Sequence, residues 1–338
     1  MRGAVGLLGW MLALAGCTTP PPSAQVGAER AAMNLMVMDG KHGVSVELWP
    51  CLEESSGNAP AIREAVCTER LTSGGYTHRM NALLLVVRSR ARRALGDVAG
   101  ALADLDEALR LVPDLDAAFA NRAELHLAAG RPAQAVADYQ AAAPRMPESA
   151  GLLVSRAFAH FAIGQYDRAM ADAEAAVRLE PRRAIALTTR GMAYAKLNRG
   201  VEALRDFEAA TSLAPDELPG WVERARLRLD NGDAAGALPD LDVAVRLAPR
   251  EGRVRFMRGM AHNLAGNLGP AMADLDLAIA ALPRNARAFN QRAIVQARRG
   301  NRNQALADLE EAVRLEPSSV AYGENRRLLR SGAALPWR

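Results

Sequence analysis

Seven prolines, Pro113, Pro147, Pro181, Pro215, Pro249, Pro283 and Pro317, stand 34 residues apart with no insertion between any two of them. A domain built around a single core has no use for such a ruler. A fixed period of this length marks units that each form one supersecondary element and bury their apolar face only against their neighbours. With proline placed at position 32, the units run 82–115, 116–149, 150–183, 184–217, 218–251, 252–285 and 286–319, which brings 238 of the 338 residues into register.

Other positions lock in the same frame. Alanine fills position 20 (Ala101, Ala135, Ala169, Ala203, Ala237, Ala271, Ala305) and position 27 (Ala108, Ala142, Ala176, Ala210, Ala244, Ala278, Ala312), and position 8 is always small. Small residues let two antiparallel helices approach closely, and the apolar residues around them recur at the spacing of three and four that marks an amphipathic helix. At position 15 stand Gly96, Gly130, Gly164, Gly232, Gly266 and Gly300, with Asn198 in the fourth unit. These are the residue types that enter the left-handed conformation ending a helix. The proline at position 32 has no amide hydrogen and restricts the residue before it, so it stops the second helix. Each unit is predicted to be a helical hairpin.

One pair of charges repeats in every unit. Position 7 is arginine (Arg88, Arg122, Arg156, Arg190, Arg224, Arg258, Arg292) and position 23 is aspartate (Asp104, Asp138, Asp172, Asp206, Asp240, Asp274, Asp308). An anion-binding or catalytic ladder is one reading. Active sites do not recur seven times along a chain, whereas a charge at a packed position is normally paired. The expectation is therefore seven structural ion pairs at the hairpin interfaces, each guanidinium taking its carboxylate in bidentate fashion.

This pattern resembles the tetratricopeptide repeat family, whose motif has small residues at positions 8, 20 and 27, a turn near 15 and proline at 32. The resemblance implies an all-α fold, a right-handed α-solenoid of seven helical hairpins. The large residues that the family favours at positions 4, 11 and 24 are represented by Trp221, Phe119, Phe289, Tyr194, Tyr139 and Phe207. Two departures stand out. Many members carry leucine at position 7, where this chain has arginine; His126, His160 and His262 occupy position 11 and Ala173 occupies position 24 in the third unit, which predicts thinner packing there.

In the family, a groove lined by the first helix of each hairpin binds peptides or partner proteins through positions 2, 5, 6, 9, 12 and 13. In this chain those positions include Arg90, Arg93, Asn121, Glu124, Phe158, Phe161, Met192, Arg226, Phe256, Met260, Asn290 and Ile294. Phe158 with Phe161, and Phe256 with Met257 and Met260, form two apolar groups that read either as anchor pockets or as packing between units. The clamp by which some members hold a terminal carboxylate needs lysine and asparagine in successive units. Only Asn121 stands at position 6 as that clamp requires, so a chaperone co-factor role is not implied.

The amino terminus carries a second signal. Arg2 precedes an apolar run from Ala4 to Ala13, followed by Leu14, Ala15, Gly16 and Cys17. The run is short for a spanning helix and reads as a secretory signal peptide over residues 1–16. Its last four residues resemble the lipobox of bacterial lipoproteins, in which the cysteine becomes the lipidated first residue. Ordinary cleavage after Ala15 is the competing reading. Thr18, Thr19, Pro20, Pro21, Pro22 and Ser23 suit an extended tether over 17–28. Thr18 fits outer-membrane sorting, since the retention signal of many such lipoproteins is aspartate at that place. Lipidation of Cys17 also leaves an even count, with Cys51 and Cys67 as a candidate disulfide.

Residues 29–81 are expected to cap the array. Within them, 59–72 have the period of a second repeat helix stopped by Ser73, Gly74 and Gly75, and so form a half-repeat. Residues 24–50 fit either a hairpin around Asp39 and Gly40 or a helix ended by Gly40. Residues 320–338 read as a carboxy-terminal cap helix and tail.

Composition trims the function classes. Net charge is only +4 and no face gathers basic residues with aromatic readers, which argues against nucleic acid. No phosphate-binding glycine loop, nucleophile elbow or metal-spaced histidine pair occurs, so neither an enzyme nor a cofactor or metal is expected. The expectation is a non-enzymatic adaptor lipid-anchored to the outer membrane and facing the periplasm, with envelope proteins or peptides as partners. A soluble periplasmic binding protein for peptide or cell-wall glycan fragments is the alternative.

Overall fold

The computed structural model describes residues 59–142 and 149–336. The expected signal peptide, Cys17 with its tether, Cys51 and the alternatives for residues 24–50 lie outside the described residues. What is described is all α-helix, in antiparallel pairs, and the chain divides into two units at Pro181.

The first unit contains α1 (Pro60–Ser73), α2 (His78–Ala94), α3 (Val98–Leu111), α4 (Asp116–Ala128), α5 (Pro132–Ala142), α6 (Ala150–Ala162) and α7 (Tyr166–Leu179). The second contains α8 (Ala184–Lys196), α9 (Gly200–Leu213), α10 (Leu218–Asp230), α11 (Ala234–Leu247), α12 (Gly252–Leu264), α13 (Leu268–Ala281), α14 (Ala286–Arg298), α15 (Arg302–Leu315) and α16 (Val320–Ser331). In each unit a helix packs on the next in sequence, and the first helices of successive hairpins also touch: α2 meets α4, α4 meets α6, α8 meets α10, α10 meets α12 and α12 meets α14.

The turns follow from position 15. All six glycines there have positive φ, and Asn198 is the one described non-glycine residue that does, at φ 58. With that residue left-handed, the amide of position 16 folds back onto the carbonyl of position 11, as in Asp97 to Arg92 at 2.9 Å and Asp233 to Arg228 at 2.8 Å. At the other end, the amide of position 31 bonds the carbonyl of the alanine at position 27, as in Ala214 to Ala210 at 3.0 Å, just before the proline stops the helix.

The alanines at positions 20 and 27 are almost wholly buried, and position 24 supplies the large core residue: Leu105, Tyr139, Phe207, Leu241, Leu275 and Leu309 are each at most 1% exposed. The close approach explains the small residue at position 8. A Cβ on Gly191 would lie 2.7 Å from the Phe207 ring, and one on Gly259 would lie 2.8 Å from Leu275.

The amino-terminal half-repeat is α1, packed on α2. It is displaced by one helical turn from the repeat register. α1 begins at Pro60 and α3 at Val98, a spacing of 38 residues rather than 34, because α2 has gained a first turn at His78, capped by the Thr77 side chain. With that offset Cys67 takes the core place that Leu105 holds in the next hairpin; it is fully buried, against Leu84. At the far end α16 packs on α15, and Leu335 folds back onto the cluster of Ala293, Ala305, Leu309 and Leu329.

Candidate functional site

The face that groove positions define is held by a repeated polar frame. In all seven hairpins the arginine at position 7 donates Nε–H to one oxygen of the aspartate at position 23 and Nη2–H to the other. The distances run from 2.6 to 3.0 Å. The aspartates are buried, from Asp240 at 1% exposed to Asp172 at 9%. Planar guanidinium on planar carboxylate fixes both distance and rotation between the two helices. The expected ion pairs are thus all present.

The third nitrogen does something the sequence reading missed. Nη1 reaches back to the second helix of the preceding hairpin: Arg122 to Asp106 at 2.7 Å, Arg258 to Asp242 at 2.9 Å and Arg292 to Asp276 at 2.7 Å. Where that place holds threonine, a hydroxyl accepts instead, as Thr68 does for Arg88 at 3.2 Å. Arg224 uses Thr211, three residues further along its helix, at 3.1 Å. The signal was available in Asp106, Asp242 and Asp276, which recur at position 25.

Position 11 tunes the frame. Arg92 and Arg228 each add a further N–H to the aspartate, at 2.9 and 2.8 Å. His126 and His160 put Nε2 at 3.6 and 3.9 Å from Asp138 and Asp172. Burial holds His126, His160 and His262 below the usual imidazole range, while the aspartate beside each pulls the other way. They are structural, and among the described residues no group of three or more histidine, cysteine or acidic side chains could hold a metal ion.

The proposed groove residues separate by environment. In the first unit, Arg90 bonds Asn121 at 3.0 Å and Arg93 pairs with Glu124, so four of them are spent joining α2 to α4. Phe158 and Phe161 are 6% and 7% exposed, with Phe161 edge-on to Tyr166 at 5.2 Å. Buried to this extent, they are packed and form no open anchor.

In the second unit, Met192 and Ile294 are buried, at 1% and 2% exposed. Asn290 accepts from Asn325 on α16 at 2.9 Å. Asn263, fully buried at position 12 of α12, accepts from Arg298 at 2.6 Å, so amides and guanidinium join α12 to α14. Phe256, Met257 and Met260 remain half-buried, each touching a core cluster while keeping part of its surface open. Arg226 is tied to Glu223 of its own helix, at 2.8 Å from Nε and 2.5 Å from Nη2; that neighbouring carboxylate, more than any other influence, raises the arginine's proton affinity. The sequence reading passed over Glu223, since a glutamate at a groove position is normally solvated.

Comparison with solved structures places this packing among known helical repeats. The crystal structure of a tetratricopeptide repeat protein from Parabacteroides merdae matches 74% of this chain and 98% of its own, at 19% identity and a TM-score of 0.58. A chain of the APC/C hetero-tetramer Cut9–Hcn1 matches 94% of this chain at 13% identity and a TM-score of 0.64, and this chain spans 61% of it. Both likenesses concern the fold. No curated protein matches the sequence. A family model described as tetratricopeptide repeat matches residues 86–150, 155–217 and 222–286, more than half of the chain. With that match and the register of its paired helices, this protein belongs to the tetratricopeptide repeat family.

Proposed function

We propose that the chain is a non-enzymatic scaffold of the bacterial cell envelope that holds partner proteins or peptides on the first-helix face of its repeats. The observation that carries the reading is the contrast between frame and face in α12. The Arg258–Asp274 frame is closed, while Phe256, Met257 and Met260 on the same helix keep open apolar surface. A rigid frame with an adaptable methionine and aromatic face suits recognition by shape. Lipidation of Cys17, outer-membrane attachment and a disulfide between Cys51 and Cys67 belong to the same proposal. The lipobox-like residues and the fully buried Cys67 support it. No helix among the described residues is long and apolar enough to cross a membrane.

In-cell crosslinking and affinity purification of a carboxy-terminally tagged chain, beside a Phe256→Glu, Met260→Glu variant, tests the face. One or a few envelope proteins should be recovered with the wild type and lost with the folded variant. Equal recovery by both would refute the assignment. Fractionation of Cys17→Ser tests the anchor: it should move the chain from membrane to soluble extract. A wild-type chain already in the soluble extract would favour a periplasmic binding protein for peptide or glycan fragments.

A further inference from the structure

The fifth repeat holds a charge that no frame uses. Glu223, at position 6 of α10, is 0% exposed, and no other glutamate among the described residues is buried. Its Oε2 accepts both the Nε–H and the Nη2–H of Arg226, at 2.8 and 2.5 Å. Crowding two donors onto one oxygen leaves Oε1 buried with no hydrogen-bond partner. Each frame aspartate, by contrast, divides its donors between both oxygens. A carboxylate oxygen without a donor in a water-excluded place is unfavourable, and a ligand that brings the donor gains what the free protein lacks.

The donors nearby are committed. Arg224 and Arg228, the other cations of α10, both bond Asp240. On α8, which packs against α10, the Thr188 and Thr189 hydroxyls donate to the carbonyls of Ala184 and Ile185. Glu223, Arg226 and Asp230 share one helix face at the spacing of three and four residues, and together carry one negative charge in excess. Arg226 reaches the exposed Asp230 at a loose 3.4 Å. Beside this face, on α12, lie the half-open Phe256 and Met260.

Building on the scaffold reading above, we propose that the first-helix face of α8, α10 and α12 takes an extended peptide bearing a basic residue next to a large apolar one. The cationic group donates to Oε1 of Glu223 and cancels the excess charge, with Arg226 moving toward Asp230 to admit it. The apolar neighbour seats on Phe256 and Met260. A partner recognised this way is basic and apolar, the opposite in charge to a ligand held by its terminal carboxylate.

The test is selection of a displayed random dodecapeptide library on the purified chain, followed by affinity measurement with a synthetic selected peptide. Selected peptides should share a lysine or arginine close to a large apolar residue. Replacing that lysine by norleucine, or the arginine by citrulline, should weaken binding to the unaltered protein by about 30-fold or more, and Glu223→Gln should cost the same factor. The peptide substitution keeps the test valid even if Glu223→Gln unfolds. Peptides that bind without a basic residue, or whose affinity norleucine leaves unchanged, overturn the inference. If such peptides still lose binding to Phe256→Glu, the scaffold reading survives; if no peptide is selected at all, both readings fall.

Discussion

Asp240→Ala is the most demanding test of the repeated frame. The carboxylate is 1% exposed and accepts three charge-assisted bonds, from Arg224 Nε at 2.9 Å, Arg224 Nη2 at 2.6 Å and Arg228 Nη1 at 2.8 Å. Removing it takes the carboxylate from two guanidiniums at once, leaving Arg224 only Thr211 and Arg228 only the Gly236 carbonyl among the bonds described. Breaking a buried pair costs about 3–5 kcal/mol, because the partner left behind stays desolvated. The Arg224 and Arg228 side chains are 13% and 24% exposed, so water recovers part of their hydration and the upper limit is not reached. The expected loss is about 4 kcal/mol. Asp172 is the internal comparison: its side chain is 12% exposed, with Arg156 bonded to it and His160 only at 3.9 Å, so Asp172→Ala should lose about 3 kcal/mol. Urea melts followed by far-ultraviolet circular dichroism give both values by linear extrapolation. Since repeat arrays open in parts, hydrogen exchange should place the loss of Asp240 in α10 and α11. Added salt should leave the difference in place, because buried pairs are weakly screened. A loss below about 1 kcal/mol, the value of a surface pair, would refute the reasoning, as would Asp172→Ala costing more than Asp240→Ala.

Acid should weaken the fold through position 11. The folded pKa of His126, His160 and His262 is lowered chiefly by burial, so between the unfolded value, about 6.5, and the lower folded value the unfolded chain binds more protons. Stability then rises with pH across that window and is lost as pH falls through it. Urea midpoints should drop from pH 7 to pH 5, and replacing all three by glutamine, the residue at Gln296, should flatten the decline; an unchanged slope would count against buried neutral imidazoles. Two glycines should answer oppositely to alanine. Gly191→Ala drives a methyl to 2.7 Å from the Phe207 ring and should cost about 1–3 kcal/mol, whereas Gly200→Ala meets nothing within 4 Å and should stabilise by about 0.5–1 kcal/mol. Thermal melts of the two variants decide the matter, and a neutral Gly191→Ala would mean that the helix pair relaxes freely.

The frame was legible in the sequence because it repeats: a charge pair seen once is ambiguous, but Arg88 with Asp104 recurring down to Arg292 with Asp308 admits few geometries. Asn198 was readable for a similar reason, since asparagine is among the few residue types besides glycine that tolerate the conformation its place requires. What was not legible lies at places where one repeat differs from the next. Phe158 and Phe161 occupy groove positions yet are buried, with Phe161 turned onto the Tyr166 ring, an arrangement visible only once the helices are packed. Arg90 with Asn121 and Arg93 with Glu124 pair across helices of different repeats, and their spacing of 31 residues follows no periodic rule that the motif supplies. The one-turn displacement of α1 arises from the added turn at His78, which the repeat period alone does not foretell.

The back-reaching Nη1 of the position 7 arginines also bears on how such a chain changes length. Each hairpin carries its own plug, the arginine with its aspartate, and for Arg122, Arg258 and Arg292 the socket is an aspartate on the second helix of the hairpin before. Excising residues 252–285 would set Arg292 against Asp242 in place of Asp276, the same residue type at the same place in its repeat. Loss or duplication of that block by unequal crossover would therefore leave a junction whose arginine still meets an aspartate of the kind it meets now.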